Sequence, residues 1–526
     1  MAMDGARLSS GDGVRPALAG RREWVGLAVI ALPCLLYSMD LTVLYLALPR
    51  LSADLAPSST QLLWITDIYG FVLAGLLITM GTLGDRIGRR RLLLIGAAAF
   101  GAASALAAFS TSAEMLIVAR ALLGVAAATL APSTLSLIRN MFLDERQRTV
   151  AVGIWIASFS VGAAIGPLVG GALLQFFWWG SVFLAAVPVM ALLLVLGPVL
   201  LPEFRDPAPG RLDVPSAALS LLGILALIYG LKQIATVGVG ARPLLALAVG
   251  AVLALVFVRR QLALAEPLLE VRLFRRAAFA TAVAAMCVAV FLVAGTDFFL
   301  GQYLQLVFGK GPLEAGLWLL PGVAGLVAGS LLAPVVVRRL SGPLVLTAAL
   351  AIAAVGAALL AGLGVASGLG LLVLGTTLIG IGTGSVGTIA TDFVVSAAPA
   401  ERAGAASAIT ETGAELGGAL GVAILGSIGA AVYRGDLASS APNSLSNPEL
   451  DAARASLAGA VDVAAAAPAR VGADVVDAAR NAFVHGLRVG ALTAAGLAAL
   501  LALLTGFSLR GRRRAPVPDP AAAPPR

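Results

Sequence analysis

Charged residues are scarce in this chain of 526 residues. They make up 12% of it, about half the share found in soluble domains, whereas 59% of the residues are hydrophobic. Apolar runs of about 20 residues, the length that an α-helix needs to cross a bilayer, recur along the whole chain. The composition therefore excludes a soluble globular protein and predicts an all-α polytopic membrane protein.

Cysteine and histidine are almost absent. The two cysteines, Cys34 and Cys287, lie in different apolar runs, and the chain has one histidine. This excludes a disulfide framework and a cysteine or histidine metal set. The sequence also shows no nucleophile–base pair and no nucleotide-binding loop, so we expect no enzyme activity, no metal site and no cofactor.

The apolar runs predict fourteen transmembrane helices. Of the 36 Lys and Arg residues, 26 fall in segments on one side of the predicted bilayer, seven on the other side and three inside helices. Because basic loops stay in the cytoplasm, we expect both termini to be cytoplasmic. This topology explains the net charge of +8 and gives no reason to expect a nucleic-acid partner. The predicted spans are 24–48, 61–82, 92–110, 115–138, 149–175, 180–201, 214–234, 243–258, 277–304, 314–337, 343–364, 369–394, 404–433 and 481–508.

A weak internal repeat divides the chain into two halves. Fragments align at a shift of 256 residues, which places Gly124 over Gly380 and Asp40 close to Asp297. Parallel repeats of this kind are typical of transporters whose site lies near the membrane midplane. The predicted domains are a cytoplasmic tail at 1–23, a six-helix bundle at 24–201, a linker with two extra helices at 202–276, a second six-helix bundle at 277–508 and a cytoplasmic tail at 509–526.

The longest predicted loop, 434–480, is rich in alanine. Its apolar residues have helical spacing that is interrupted by Pro468, which predicts two short helices outside the membrane. A partly ordered loop is the alternative interpretation.

Five acidic residues lie well inside predicted helices. Each costs about 2.5 kcal/mol or more at a helix centre, so we expect these side chains to face an aqueous cavity. A carboxylate there can take up a proton or bind a cation, but one carboxylate cannot do both at once. These acids are Asp40, Asp67, Asp297, Glu411 and Glu415.

Aromatic residues lie near several of these acids. Trp64 and Phe71 share a helix face with Asp67, and Tyr37 lies one turn before Asp40. A carboxylate beside aromatic faces suits a flat or quaternary cation, although packing or a position at the membrane interface explains any single aromatic residue better. Several acids without a buried lysine favour cations over anions, while Arg120 and Arg488 leave room for anions.

Glu411 and Glu415 are four residues apart and are therefore predicted to share one helix face. Two carboxylates so close together raise the pKa of one of them, which suits proton sensing or cation binding. Pairing with Ser or Thr on a neighbouring helix is the structural alternative.

Five motifs occur in one order along the chain. The sequence resembles the major facilitator superfamily and, within it, the fourteen-helix drug:proton antiporters of the multidrug and quaternary-ammonium efflux type. The resemblance implies the major facilitator fold and covers nearly the whole chain, although the loop VVVRRLSGP at 335–343 lacks the Gly-Asp core of its counterpart in the first half. The motifs are MDLTVLYLALP (39–49), GTLGDRIGRRR (81–91), IVARALLGVAAA (117–128), GAAIGPLVGG (162–171) and GPLEAGLWLLP (311–321).

The loop at 81–91 is a candidate cytoplasmic gate. Glycines there permit a tight turn, and the Asp can pair with nearby Arg residues or cap the next helix. A short turn with basic residues that set the topology is the alternative. The candidate gating residues are Gly81, Gly84, Asp85, Arg86, Gly88, Arg89 and Arg90.

The fifth and fourth predicted helices carry further candidates. Gly162, Gly166 and Gly170 fall on one face and permit close helix packing, and Pro167 can kink the helix there. The resemblance associates this motif with export. It also implies a role for Arg120 in proton coupling, and a structural ion pair is the alternative for that residue.

The sequence thus predicts an antiporter that exports lipophilic or cationic small molecules by alternating access and is driven by the proton gradient. We expect a monomer that crosses the cytoplasmic (inner) membrane of a bacterium. Two alternatives stay open. The same fold can export a natural product, an antibiotic, a lipid or an amino acid, and the chain can instead be a receptor or scaffold that transports nothing.

Overall fold

The structure is a computed structural model that describes residues 18–205, 213–237, 240–264, 267, 271–397, 403–442 and 444–509. For some residues within these ranges, among them Glu411, the structure describes the backbone but not the side chain. Most of the two predicted tails and part of the 202–276 linker also lie outside it.

The described residues form helices and no strand. Most helices are long and follow one another with short connections. Their bounds are α1 Arg21–Leu55, α2 Ser59–Ile87, α3 Arg89–Ala108, α4 Ala113–Met141, α5 Glu145–Phe176, α6 Ser181–Leu184, α7 Ala186–Leu200, α8 Val214–Val237, α9 Ala241–Ala263, α10 Ala277–Gln302, α11 Pro312–Val337, α12 Gly342–Leu360, α13 Leu369–Ala397, α14 Ala403–Ser440, α15 Asn447–Ala455, α16 Leu457–Ala466 and α17 Ala469–Leu509.

Short polar side chains and a glycine determine where several helices begin. The Gln61 amide donates to Ser58 Oγ at the start of α2, and the Met115 amide donates to Ser112 Oγ at the start of α4. Such caps satisfy backbone donors that the first helical turn leaves unpaired. Gly88, with φ +109°, separates α2 from α3 in a backbone conformation that other residues rarely adopt.

The all-α membrane fold is confirmed. Among the described residues, thirteen helical segments are long and apolar enough to cross a membrane. The segment missing from that set is α5, a continuous helix of 32 residues that crosses positions without described side chains. Each of the fourteen predicted spans coincides with a long helix, apart from the sixth, which is divided into α6 and α7.

The region around 434–480 differs from the prediction in its helix bounds. Helix α14 continues to Ser440, and α17 already begins at Ala469, so the second predicted short helix is the start of the last long helix. The first is divided at Ser456 into α15 and α16. Alanine is the strongest helix former, which explains why α17 begins before its apolar segment.

Helix packing places the interior of the molecule between two groups of helices. Helices α1 to α7 pack mainly against one another, as do α10 to α14 with α17. The two groups meet where α5 packs on α11 and where α2 packs on α14. The additional helices α8 and α9 pack against each other, and α8 also contacts both α2 and α14.

Three glycines allow α5 to lie directly against α1. A Cβ atom at Gly162 would lie 2.2 Å from the carbonyl oxygen of Leu35, and one at Gly166 would lie 2.1 Å from Thr42 Oγ1. A Cβ atom at Gly170 would meet Val43 at 2.8 Å. The spacing of four residues therefore produces the close packing that small residues permit between membrane helices.

Replacing Gly162 by alanine should destabilise the protein, since the new Cβ has no space against the α1 backbone. Overpacking of this kind costs about 1–3 kcal/mol. We expect a lower midpoint of thermal unfolding in detergent. Gly153→Ala on the same helix is the control, because no atom lies within 4 Å of a Cβ there. Equal midpoints for the two variants would contradict the observed packing.

Candidate functional site

Asp40 and Arg120 form an ion pair between α1 and α4. Arg120 Nη1 lies 2.6 Å from Asp40 Oδ2, and the two side chains are 1% and 13% exposed. Arg120 Nε also donates to the carbonyl oxygen of Ile65, and its guanidinium lies 4.7 Å from the centroid of the Tyr69 ring. A buried arginine stays protonated and needs such partners, so Asp40 is the counter-ion of Arg120 in this conformation.

Asp67 forms a second ion pair, with Lys232 of α8. Lys232 Nζ lies 2.8 Å from Asp67 Oδ1, and both side chains are completely buried. The same Nζ atom lies 4.0 Å from the centroid of the Trp64 ring. The inference from the sequence that the chain has no buried lysine is therefore wrong. The carboxylate and the aromatic ring lie together as expected, but a lysine of the same chain occupies the position between them.

Glu415 lies between the two groups of helices. The Tyr37 hydroxyl of α1 donates a hydrogen bond to the Glu415 carboxylate of α14. The Tyr37 ring packs edge-on against Phe159 at 5.6 Å between centroids, and Phe159 packs against Trp155 at 4.9 Å. We call Tyr37, Tyr69, Trp155 and Phe159 the aromatic cluster. The sequence placed Tyr37 near Asp40, whereas the structure joins it to Glu415.

Glu411 lies one turn before Glu415 on α14, but its side chain lies outside the described residues. The predicted pair of glutamates therefore stays a prediction. Phe71 is completely buried on α2 and packs with Ile228, Ala419 and Ala423 at the meeting of α2, α8 and α14. Its ring faces apolar side chains there.

Asp297 differs from the other described acids inside the helices. Within the part of the chain that the structure describes, its carboxylate has no hydrogen bond and no ion pair. It lines a cavity of about 100 Å³. Tyr45 and Pro167 line this cavity from the first group of helices, and Thr296 and Thr376 line it from the second. A carboxylate in this setting can gain or lose a proton without separating a buried ion pair.

The turn between α2 and α3 contains a charged cluster. Asp85 Oδ1 lies 2.5 Å from Arg89 Nη2, and Arg89 Nη1 donates to the carbonyl oxygen of Pro132 on α4. The backbone packs tightly, because a Cβ atom at Gly84 would lie 3.0 Å from Arg89 Cδ, whereas one at Gly81 would lie 3.6 Å from Pro132. The turn therefore ties α2 and α3 to α4.

Arg90 connects the same turn to the end of α7. Its Nη1 atom donates to the carbonyl oxygens of Pro198 and Leu201, and its Nε lies 3.6 Å from Glu203 Oε2. Arg86 is exposed. The sequence analysis did not identify Glu203. Its position directly after the sixth predicted span, on the predicted cytoplasmic side, could have indicated a partner for the basic residues of the turn. In the second half, Arg338 and Arg339 are exposed.

The chain matches known transporters along most of its length. The family profile of the Major Facilitator Superfamily matches residues 30–422. The multidrug efflux pump LfrA of Mycolicibacterium smegmatis is 45% identical over 494 residues, which cover 93% of this chain and 97% of that protein. The methyl viologen resistance protein SmvA of Salmonella typhimurium is 37% identical over 503 residues, which cover 94% of this chain and 99% of that protein.

More distant proteins have the same fold. The tetracenomycin C resistance and export protein of Streptomyces glaucescens is 33% identical over 499 residues, covering 93% of this chain and 92% of that protein. Among solved structures, an inward-facing bacterial homologue of the human lysosomal transporter Spinster has a TM-score of 0.62 at 17% identity. The match covers 95% of this chain and 100% of that one. The nucleoside transporter NupG has a TM-score of 0.60 at 13% identity, covering 93% and 100%.

Removing one partner of the Asp40–Arg120 pair should destabilise the protein strongly, because the other charge stays buried without its counter-ion. Losses of about 3–5 kcal/mol are typical for such changes. Arg120→Gln should therefore lower the midpoint of thermal unfolding in detergent. The double variant Asp40→Asn with Arg120→Gln has neither charge and should recover most of that loss. A double variant no more stable than the single one would contradict the pairing.

Proposed function

Because this chain belongs to the major facilitator superfamily, we propose that it is a proton-coupled antiporter that exports lipophilic, cationic small molecules by alternating access. Membership of the family makes the chain a membrane transporter and not an enzyme. The names of the relatives support the export of several compounds, among them methyl viologen, which is a flat organic dication. The observation that carries the proposal is the Glu415 carboxylate beside the aromatic cluster, where the two groups of helices meet.

Glu415 and the aromatic cluster form the proposed substrate site. Tyr37 belongs to α1 and Glu415 to α14, so both groups of helices contribute to it. Each aromatic face contributes about 0.5–2 kcal/mol to binding a cation, and the carboxylate supplies the opposite charge. Glu411 is proposed to assist from the preceding turn of α14. Trp64 is assigned no direct contact with substrate, because its ring already faces Lys232.

Asp297 is the proposed proton site. Protonation of Asp40 or Asp67 would leave Arg120 or Lys232 buried without a counter-ion, which is costly. Asp297 lines a cavity and has no such partner among the described residues. Because residues of both groups of helices line this cavity, movement of one group against the other changes the access of Asp297 to water.

The remaining candidates have conformational roles in this proposal. Arg120 is assigned to coupling through Asp40, and the Asp85–Arg89 cluster is assigned to a cytoplasmic gate that holds α2, α3 and α4 together in one conformation. The glycine face of α5 with Pro167 supplies the surface on which α5 contacts α1 and α11. We propose that the two groups of helices act as the two bundles at 24–201 and 277–508. We further propose a monomer in a bacterial inner membrane, with both termini in the cytoplasm.

A natural product is the second candidate for the exported compound. The tetracenomycin C resistance and export protein, at 33% identity, favours this alternative. The proton site and the fold are the same in both cases. Only the occupant of the aromatic cluster differs, and a neutral aromatic compound would not need Glu415.

Replacing Asp297 by asparagine should abolish efflux driven by a pH gradient, because an amide cannot take up the coupling proton. Loss of one coupled proton removes about 1.36 kcal/mol of driving force per pH unit, or about tenfold in the accumulation ratio. Efflux of a cationic dye from proteoliposomes with an imposed pH gradient measures this. Asp392→Asn is the matched control, since Asp392 is exposed near the end of α13. Unchanged coupling in Asp297→Asn would overturn the assignment of the proton site.

Replacing Glu415 by glutamine should weaken the binding of cationic dyes and leave the binding of neutral compounds unchanged. We expect a loss of about tenfold in affinity, equal to about 1.4 kcal/mol. Tyr37→Phe keeps the ring and removes the hydroxyl, so it should weaken dye binding less. Fluorescence titration of purified protein with both classes of compound measures these effects. Equal losses for cationic and neutral compounds would favour the second candidate.

A further inference from the structure

Helix α8 lies over one of the places where the groups of helices meet. On one side, Leu221 of α8 packs against α2 at Gly75, where a Cβ atom would lie 2.9 Å from Leu221 Cδ1. On the other side, Ile228 of α8 packs with Ala419 and Ala423 of α14. Helix α2 and helix α14 also contact each other directly. We call this meeting of α2 and α14 beneath α8 the seam.

The contacts of α8 with the two sides of the seam differ in kind. Its contact with α2 includes the Asp67–Lys232 ion pair, and both of these side chains are completely buried. In the hydrophobic cluster of the seam, its contact with α14 joins Ile228 to Ala419 and Ala423, which are apolar. Lipid tails are as apolar as these side chains, so the contact with α14 can slip in a bilayer at little cost. An ion pair has no replacement partner in lipid.

Alternating access requires α2 and α14 to move relative to each other, because they belong to different groups of helices. A helix that touches both cannot keep both sets of contacts. We propose that Lys232 is a positioning residue that fixes α8 to α2, so that α8 moves with the first group of helices and slides over α14. In this arrangement α8 covers the seam against lipid throughout the transport cycle.

This arrangement gives Asp67 a structural task. One oxygen of Asp67 and the Trp64 ring both face Lys232. Lys232 therefore occupies a position where a carboxylate and an aromatic ring would otherwise bind a foreign cation. Exported cations are thereby kept away from α2 beneath α8 and directed to the aromatic cluster. The inference relies on the proposed function only for alternating access and for the efflux readout.

Two disulfides test the inference in a chain whose Cys34 and Cys287 are replaced by alanine. Gly75→Cys with Leu221→Cys joins α2 to α8, where the two Cβ atoms lie 3.3 Å apart. Gly70→Cys with Ala419→Cys joins α2 to α14, where the corresponding distance is 3.2 Å. Both are close to the Cβ separations of about 3.5–4.5 Å found in disulfides. Each pair has one cysteine on α2 and the other on a neighbouring helix, so each pair is a matched control for the other.

Oxidation of the α2–α8 pair should leave dye efflux unchanged, whereas oxidation of the α2–α14 pair should stop it, and reduction should restore it. Arrest of efflux by the α2–α8 disulfide would overturn the inference. The disulfide yields in proteoliposomes supply a readout that is independent of export. The yield for α2–α8 should not depend on the direction of the pH gradient, whereas the yield for α2–α14 should. If the parent exports no dye, the proposed function fails while these yields still decide the position of α8.

A rescue experiment separates positioning from a general effect on folding. The double variant Asp67→Asn with Lys232→Met has no buried charge but also no anchor, so dye efflux should fall. Adding the α2–α8 disulfide to the same chain should restore efflux on oxidation, because the covalent bond replaces the ion pair. Full efflux without the disulfide, or no recovery once it has formed, would each overturn the role of Lys232.

Discussion

A charge inside the bilayer must be paired or must reach water, and this constraint determines how the interior of this transporter is arranged. Asp40 is paired with Arg120 and Asp67 with Lys232, in both cases between different helices. The first pair connects α1 to α4 within one group, and the second connects α2 of that group to the additional helix α8. Two further described acids, Glu415 and Asp297, are the ones proposed here for exchange. Glu415 accepts a hydrogen bond from a tyrosine, and Asp297 lines a cavity.

Besides the Tyr37–Glu415 hydrogen bond, the two groups of helices contact each other by close packing over small residues. Gly316 of α11 lies against the carbonyl oxygen of Pro167, where a Cβ atom would lie 2.4 Å away, and Gly301 of α10 lies against Tyr45 at 2.8 Å. At both glycines the backbones of two helices come into direct contact, because no side chain lies between them. Dispersion forces hold such surfaces together in a membrane, and lipid can replace them at little cost. These small-residue surfaces can therefore separate without breaking the Asp40–Arg120 pair or the Asp67–Lys232 pair, and alternating access requires such a separation.

The sequence predicted the fold well because length and hydropathy are local properties. Apolar runs located the long helices, and the spacing of Gly162, Gly166 and Gly170 predicted the close packing of α5. The pairing of charges could not be predicted in the same way. Asp67 and Lys232 are 165 positions apart, and no local pattern indicates that α8 returns to α2. The hydrogen bond from Tyr37 to Glu415 could not be predicted for the same reason, since these residues are 378 positions apart.

Charge balance limits how the proposed exchange can work. If Glu415 binds a monovalent cation and Asp297 carries one proton inward, no net charge crosses the membrane, and the pH gradient alone supplies about 1.36 kcal/mol per unit. Export of a dication against one proton would move a positive charge outward, which costs about 2.3 kcal/mol per 100 mV when the cell interior is negative. A second proton removes that cost. Among the described acids, Asp40 and Asp67 are each paired with a cation of this chain, and we propose Glu415 of the substrate site as the acid that carries this second proton. If Glu415 returns protonated after a dication has left, the cycle exchanges two protons for one dication, and one side chain binds cargo and proton in turn.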